Sequence, residues 1–113
     1  MQERRKDIRY PTLARARIPA VSEKDAVLSD LSITGCRIRC TEHIPITLNT
    51  PYTVLIIPEP AAKISTFALV VESRWIRSQE HSFEAAFMIV SSPPVGTQFE
   101  SYVDYLAWRS AAL

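Results

Sequence analysis

The chain has 113 residues, enough for one domain with a real but thin hydrophobic core. Hydrophobic residues make up 47% and charged residues 22%, ordinary for a globular protein, and no apolar run approaches the ~20 residues of a membrane span. The net charge of +1 is uneven: residues 1–17 hold six Lys/Arg against two Asp/Glu, and residues 18–113 hold seven against ten.

Residues 1–11 read as an irregular basic arm, MQERRKDIRYP, carrying Arg4, Arg5, Lys6 and Arg9 and ending at Pro11. The charged start lacks an apolar h-region, so a cytoplasmic location is expected. Three readings fit such an arm: a solvated tail, a nonspecific patch for nucleic acid or membrane, or a clamp for one small anion. The mildly acidic body argues against a broad nucleic-acid face, so no DNA or RNA partner is expected.

From residue 12 the pattern is that of strands. TLARARIPAV (12–21) alternates roughly, with Leu13 offset from Arg15 and Arg17, and Pro19 suits an edge or a bulge. KDAVLSDLSI (24–33) sets Val27, Leu31 and Ile33 on one face and Asp30 and Ser32 on the other. A turn at Thr34-Gly35 leads into CRIRC (36–40), where Cys36, Ile38 and Cys40 point inward and Arg37 and Arg39 outward. On a strand the two cysteines lie roughly 13 Å apart, at about 3.3 Å per residue, too far for a disulfide. Residues 41–51 form a loop. YTVLIIP (52–58), ISTFALVVESRWIR (64–77) and EHSFEAAFMIV (80–90) are strands, and SSPPVG (91–96) breaks the pattern.

The end is helical. Thr97 and Glu100 fit a capping box, and Phe99, Tyr102, Val103 and Leu106 follow helical spacing. Trp108 falls opposite that stripe, either facing outward or buried by a curled helix end. The expectation is a single all-β domain over 1–113: a flexible basic arm (1–11), a six-stranded antiparallel β-barrel (12–90) and one C-terminal helix (97–112). A barrel also removes exposed strand edges.

Few residues carry chemistry. With two glycines in the chain there is no Gly-rich phosphate loop. Catalysis would need a base beside a nucleophile, and no histidine or lysine completes one with Asp30 and Ser32, so no enzyme activity is expected. His43 and His81 read as surface loop residues, and no metal site or cofactor is expected. DLSITG (30–35) is more distinctive. It offers a carboxylate and a hydroxyl side by side before a glycine, which allows a sharp turn or a close approach. Together Asp30 and Ser32 could accept from a guanine's N1–H and N2–H₂, or simply bond nearby backbone amides. Arginines fork onto guanine O6/N7 and onto phosphate oxygens. A ligand with both groups would explain why the two clusters occur together.

These two stretches resemble PilZ domains. RKDIR (Arg5 to Arg9) matches their RxxxR pattern and DLSITG their DxSxxG pattern, in that order and about twenty residues apart, in an all-β chain with a closing helix. The resemblance covers nearly the whole chain and implies a split-type, six-stranded barrel that binds the bacterial messenger cyclic di-GMP. It implies that Arg5 and Arg9 hold phosphates and guanine edges, that Asp30 and Ser32 bond a guanine, and that Gly35 shapes the turn. Arg4 implies an intercalated pair of ligands. Trp75 falls near an aromatic that stacks on a base in some members, ordinary partial burial being the other reading. Arg37 either extends the site or lies on a solvated face. The sequence departs from the family at FEAAF (83–87), where Glu84 replaces an expected glycine. The resemblance implies an arm that orders over the barrel on binding and a stand-alone adaptor that signals to a partner protein. The alternative is a PilZ-like protein-interaction module that binds no nucleotide.

Overall fold

The computed structural model describes residues 8–91 and 96–112. Within them lie β1 (Tyr10–Pro11), β2 (Arg15–Arg17), β3 (Ala26–Leu31), β4 (Gly35–Cys40), β5 (Pro51–Ile57), β6 (Phe67–Gln79), β7 (Ser82–Ser91) and α1 (Gln98–Ala112). β3, β2, β5, β6, β7 and β4 pair in that order, and β4 pairs back onto β3, closing a six-stranded antiparallel barrel. β1 is an extra short strand on β3, with Tyr10 opposite Leu31 and Pro11 opposite Asp30. No helix among the described residues is long and apolar enough to cross a membrane.

The alternating strands fill the barrel. Leu28, Leu31, Ile38, Val54, Ile56, Leu69, Val71, Phe83 and Phe87 are fully buried or nearly so. α1 covers the core with the stripe read from the sequence: Phe99, Tyr102, Val103 and Leu106 are buried while Trp108 faces outward. Phe67 meets Phe99 and Tyr102 at ring-centroid distances of 5.9 and 6.2 Å. Aromatic rings bury more apolar area per residue than most other side chains.

Three local expectations need correction. First, the sheet begins inside the arm, at Tyr10, and of the run expected over 12–21 only Arg15–Arg17 is strand, separated from β1 by Thr12–Ala14. Burial of the Tyr10 ring draws the chain into the sheet. Thr12 bridges the break: its hydroxyl accepts from the Ala14 amide at 3.0 Å and donates to the Leu28 carbonyl. Second, Val27 does not share a face with Leu31. The β3–β4 register shifts between Leu28 and Asp30, so Leu28 takes the core position opposite Ile38 while Val27 is exposed opposite Arg39. A bulged residue moves every later side chain by one place. Third, the capping box does not form. Gly96 adopts φ +86, and it is the Gly96 amide that donates to Glu100 Oε1, at 2.7 Å. Thr97 Oγ1 is buried without a partner among the described residues.

Candidate functional site

Asp30 is the centre of an ion cluster on the outer face of the barrel. Arg9 Nη1 donates to its Oδ1 at 2.9 Å, and Arg37 donates to its Oδ2 through Nε at 3.1 Å and Nη2 at 2.7 Å. Neighbouring strands bring the three together. Arg37 stands opposite Asp30 across the β3–β4 pair, and β1, just after Arg9, pairs with β3 at Asp30. The carboxylate lies beneath the two guanidinium groups: side-chain exposure is 9% for Asp30 against 48% for Arg9 and 40% for Arg37. These bonds use one N–H of Arg9 and two of Arg37, out of five on each guanidinium. Two cations over one anion leave a positive surplus, which suits an anionic ligand.

Ser32 builds the turn that follows. Its Oγ accepts from the amides of Thr34 and Gly35, each at 3.1 Å, and sits 3.1 Å from Thr34 Oγ1. The Ser32 amide donates to the Gly35 carbonyl at 2.9 Å. This is a hydroxyl-closed turn, and it leaves Ser32 1% exposed. Gly35 is required by close approach. A Cβ there would lie 2.6 Å from the Phe87 carbonyl oxygen on β7 and 3.3 Å from Arg9 Nη2.

Two open clefts flank this cluster. One, about 140 Å³, is lined by Arg9, Arg37, Trp75 and Ala86. The other, about 340 Å³, shares Arg9, Trp75 and Ala86 and adds Thr34, Arg74, Phe87 and Met88. Trp75 is 37% exposed and stands opposite Ala86. A register shift between Ser73 and Trp75 sets that pairing. Glu84 lines neither cleft. It lies two residues from Ala86 along β7 and pairs with Arg77. The small residue beside Trp75 is therefore Ala86.

Arg9, Asp30, Gly35 and Trp75 thus fall in one region, and Ser32 supports it from within the turn. Arg4 and Arg5 lie outside the described residues. Arg37 joins the site as well, and a hairpin count would have placed it there. Counting outward from the Ser32–Gly35 turn pairs Leu31 with Cys36 and Asp30 with Arg37. Arg74 and Met88, whose Nη2 and sulfur are 3.2 Å apart, carry no sequence signal. They come together only through the β6–β7 register, which no local pattern reveals.

Neither cysteine is an activated nucleophile. Burial pushes the Cys36 thiol up to about 12, and burial also raises Cys40. Among the described residues, no group of three or more His, Cys, Asp or Glu could hold a metal ion.

No protein-family model matches the chain. No curated protein matches it either. Among solved structures, the fold is similar to that of the Bacillus subtilis inhibitor of motility, MotI/DgrA. The TM-score is 0.71 at 14% sequence identity, and the match covers 97% of this chain and 52% of that one. The chain spans about half the length of that protein. At this identity the likeness is one of fold, and the shared fold is the barrel with a closing helix that the PilZ resemblance implies.

Proposed function

We propose that this domain is a cyclic di-GMP receptor, acting in the cytoplasm as an adaptor for a partner protein. The observation that carries the reading is the convergence of Arg9, Arg37 and Asp30 at the exit of the basic arm, beside clefts walled by Trp75. In the free state Asp30 holds both arginines. An incoming phosphate competes for Arg9. That exchange frees Asp30 Oδ1 to accept from a guanine N1–H or N2–H₂, and Trp75 offers a face on which a purine can stack. Arg4 and Arg5 would add further phosphate contacts as the arm closes over the barrel, and a pair of ligands would need Arg4. Ordering the arm costs conformational entropy, which these charge-assisted contacts must exceed. The partner would read the new surface of arm, barrel and ligand. Two phosphates do not require the broad basic face of a nucleic-acid binder.

A second reading is a nucleotide-free interaction module. It is favoured by the saturation of the motif: both Asp30 oxygens and the Ser32 hydroxyl already have partners within the chain. Isothermal titration with cyclic di-GMP separates the two, with GTP as control and Arg9→Ala and Arg5→Ala proteins alongside. Micromolar or tighter binding that either substitution abolishes is expected. No heat and no competition at high ligand concentration would leave the interaction module as the surviving reading.

A further inference from the structure

The Trp75 ring is not held by the barrel core. It projects from β6 on the same side as Arg77, two residues on, as alternate residues of a strand do. Arg77 Cζ lies 5.5 Å from the ring centroid, within range of a cation–π contact. Arg77 stands opposite Glu84 in the β6–β7 register, and its Nη1 is 3.5 Å from Glu84 Oε1. The pair is asymmetric: the Arg77 side chain is 61% exposed and that of Glu84 20%. Glu84 is the fixed post, and the guanidinium reaches from it to the indole.

We infer that Glu84 and Arg77 form a brace that presets the Trp75 ring as a stacking platform for a purine. Arg77 is a positioning residue and not a ligand contact, because it lines neither of the clefts that Trp75 walls. Ala86, opposite Trp75, is too small to hold the ring and leaves room beside it. Without the brace, a partly exposed indole on a bulged strand samples several rotamers, and a stacking ligand has to order it. With the brace, that ordering precedes binding, which is how preorganisation improves affinity. Glu84 then has a physical role: a glycine at that position would leave Arg77 without its carboxylate. The inference rests on the proposed nucleotide site for its ligand, but the brace itself is testable without one.

The test uses the 113-residue chain carrying Trp108→Phe, which leaves Trp75 as its single indole. Trp108 lies on the exposed face of α1, outside both clefts. Fluorescence anisotropy decay and acrylamide quenching are read without ligand for Arg77→Ala, Arg77→Lys and Glu84→Gln. Thermal melts confirm that each variant is folded. Faster ring motion and stronger quenching are expected in Arg77→Ala and Glu84→Gln. Arg77→Lys should be intermediate, because it keeps the charge and loses the planar contact. Cyclic di-GMP should then bind Arg77→Ala about three- to ten-fold more weakly, as expected for loss of one partly exposed cation–π brace. Unchanged ring motion in all three variants overturns the brace, even if cyclic di-GMP binds. Altered ring motion in a protein whose unsubstituted form binds no cyclic di-GMP overturns the purine platform and the functional reading together.

Discussion

Arg109, in the last turn of α1, donates through Nη2 to the carbonyl oxygen of Pro11 in β1. The C-terminal helix is therefore tied to the residue two positions past Arg9. The same guanidinium reaches Glu59 Oε2 at 2.8 Å, and the Tyr102 hydroxyl donates to Glu59 Oε1. One buried carboxylate thus joins the helix and the loop after β5, and Arg109 extends the link to the strand that delivers Arg9.

Replacing Arg109 by Ala should leave the Glu59 carboxylate buried with one partner fewer. Loss of a charge-assisted partner of a buried group costs about 1–3 kcal/mol. A lowered urea midpoint with an unchanged m-value is expected. Because the link ends at β1, cyclic di-GMP affinity should fall as well. An unchanged midpoint would mean that the latch holds nothing.

Asp30→Asn removes the anion beneath Arg9 and Arg37 and keeps the side chain's shape. The two arginines then have no carboxylate between them, and guanine faces an amide with one acceptor oxygen. Titration should show cyclic di-GMP binding at least about ten-fold weaker, or ~1.4 kcal/mol. Trp75→Ala should cost about 1–3 kcal/mol of binding through lost stacking, with little change in melting temperature. Equal affinity in both variants would remove these residues from the site.

Gly35→Ala would place a methyl group 2.6 Å from the Phe87 carbonyl oxygen. β4 and β7 would have to move apart, at a cost of about 1–3 kcal/mol. The same methyl group presses on Arg9 Nη2, 3.3 Å away. A lower melting temperature together with weaker nucleotide binding is expected. The melting curve and the titration of one protein sample check both.

Stability should fall at alkaline pH. Burial and the Glu59 carboxylate raise the Tyr102 hydroxyl above its ordinary value of 10.0, and burial raises the Cys36 thiol from 9.0 to about 12. Both groups ionise more readily in the unfolded chain. Their contribution is complete below pH 9 and declines from there upward, first through Cys36 and then through Tyr102. Urea midpoints measured from pH 8 to 11 should fall, and Cys36→Ala should flatten the early part of that slope. A flat profile in the parent protein would contradict both assignments.

Much of this fold is legible in the residue pattern. The apolar runs of β5, β6 and β7 and the Phe99/Tyr102/Val103/Leu106 stripe state which faces are buried, because burial selects side chains at the period of each element. The DLSITG stretch gives the Ser32–Gly35 turn for a similar reason: a turn of four residues is local chemistry. Arg9 and Asp30 are singled out by the PilZ resemblance. The errors also share a cause. Val27 and Leu31 read as one face because alternation cannot show the register shift after Leu28. Tyr10 reads as part of the arm because a two-residue strand has no period. The Thr97 cap failed where a positive φ at Gly96 redirected the amide.

The sequence by itself determined an all-β chain with a closing helix, and the identity of the charged and hydroxyl groups near its turn. Tertiary structure alone decided which strands meet. That decision stood Ala86 beside Trp75, aligned Arg77 with Glu84 and tied Arg109 to Pro11. Each of these pairs depends on cross-strand register or on contacts between residues far apart in the chain. Register depends on bulges and loop closures that make no mark on local periodicity.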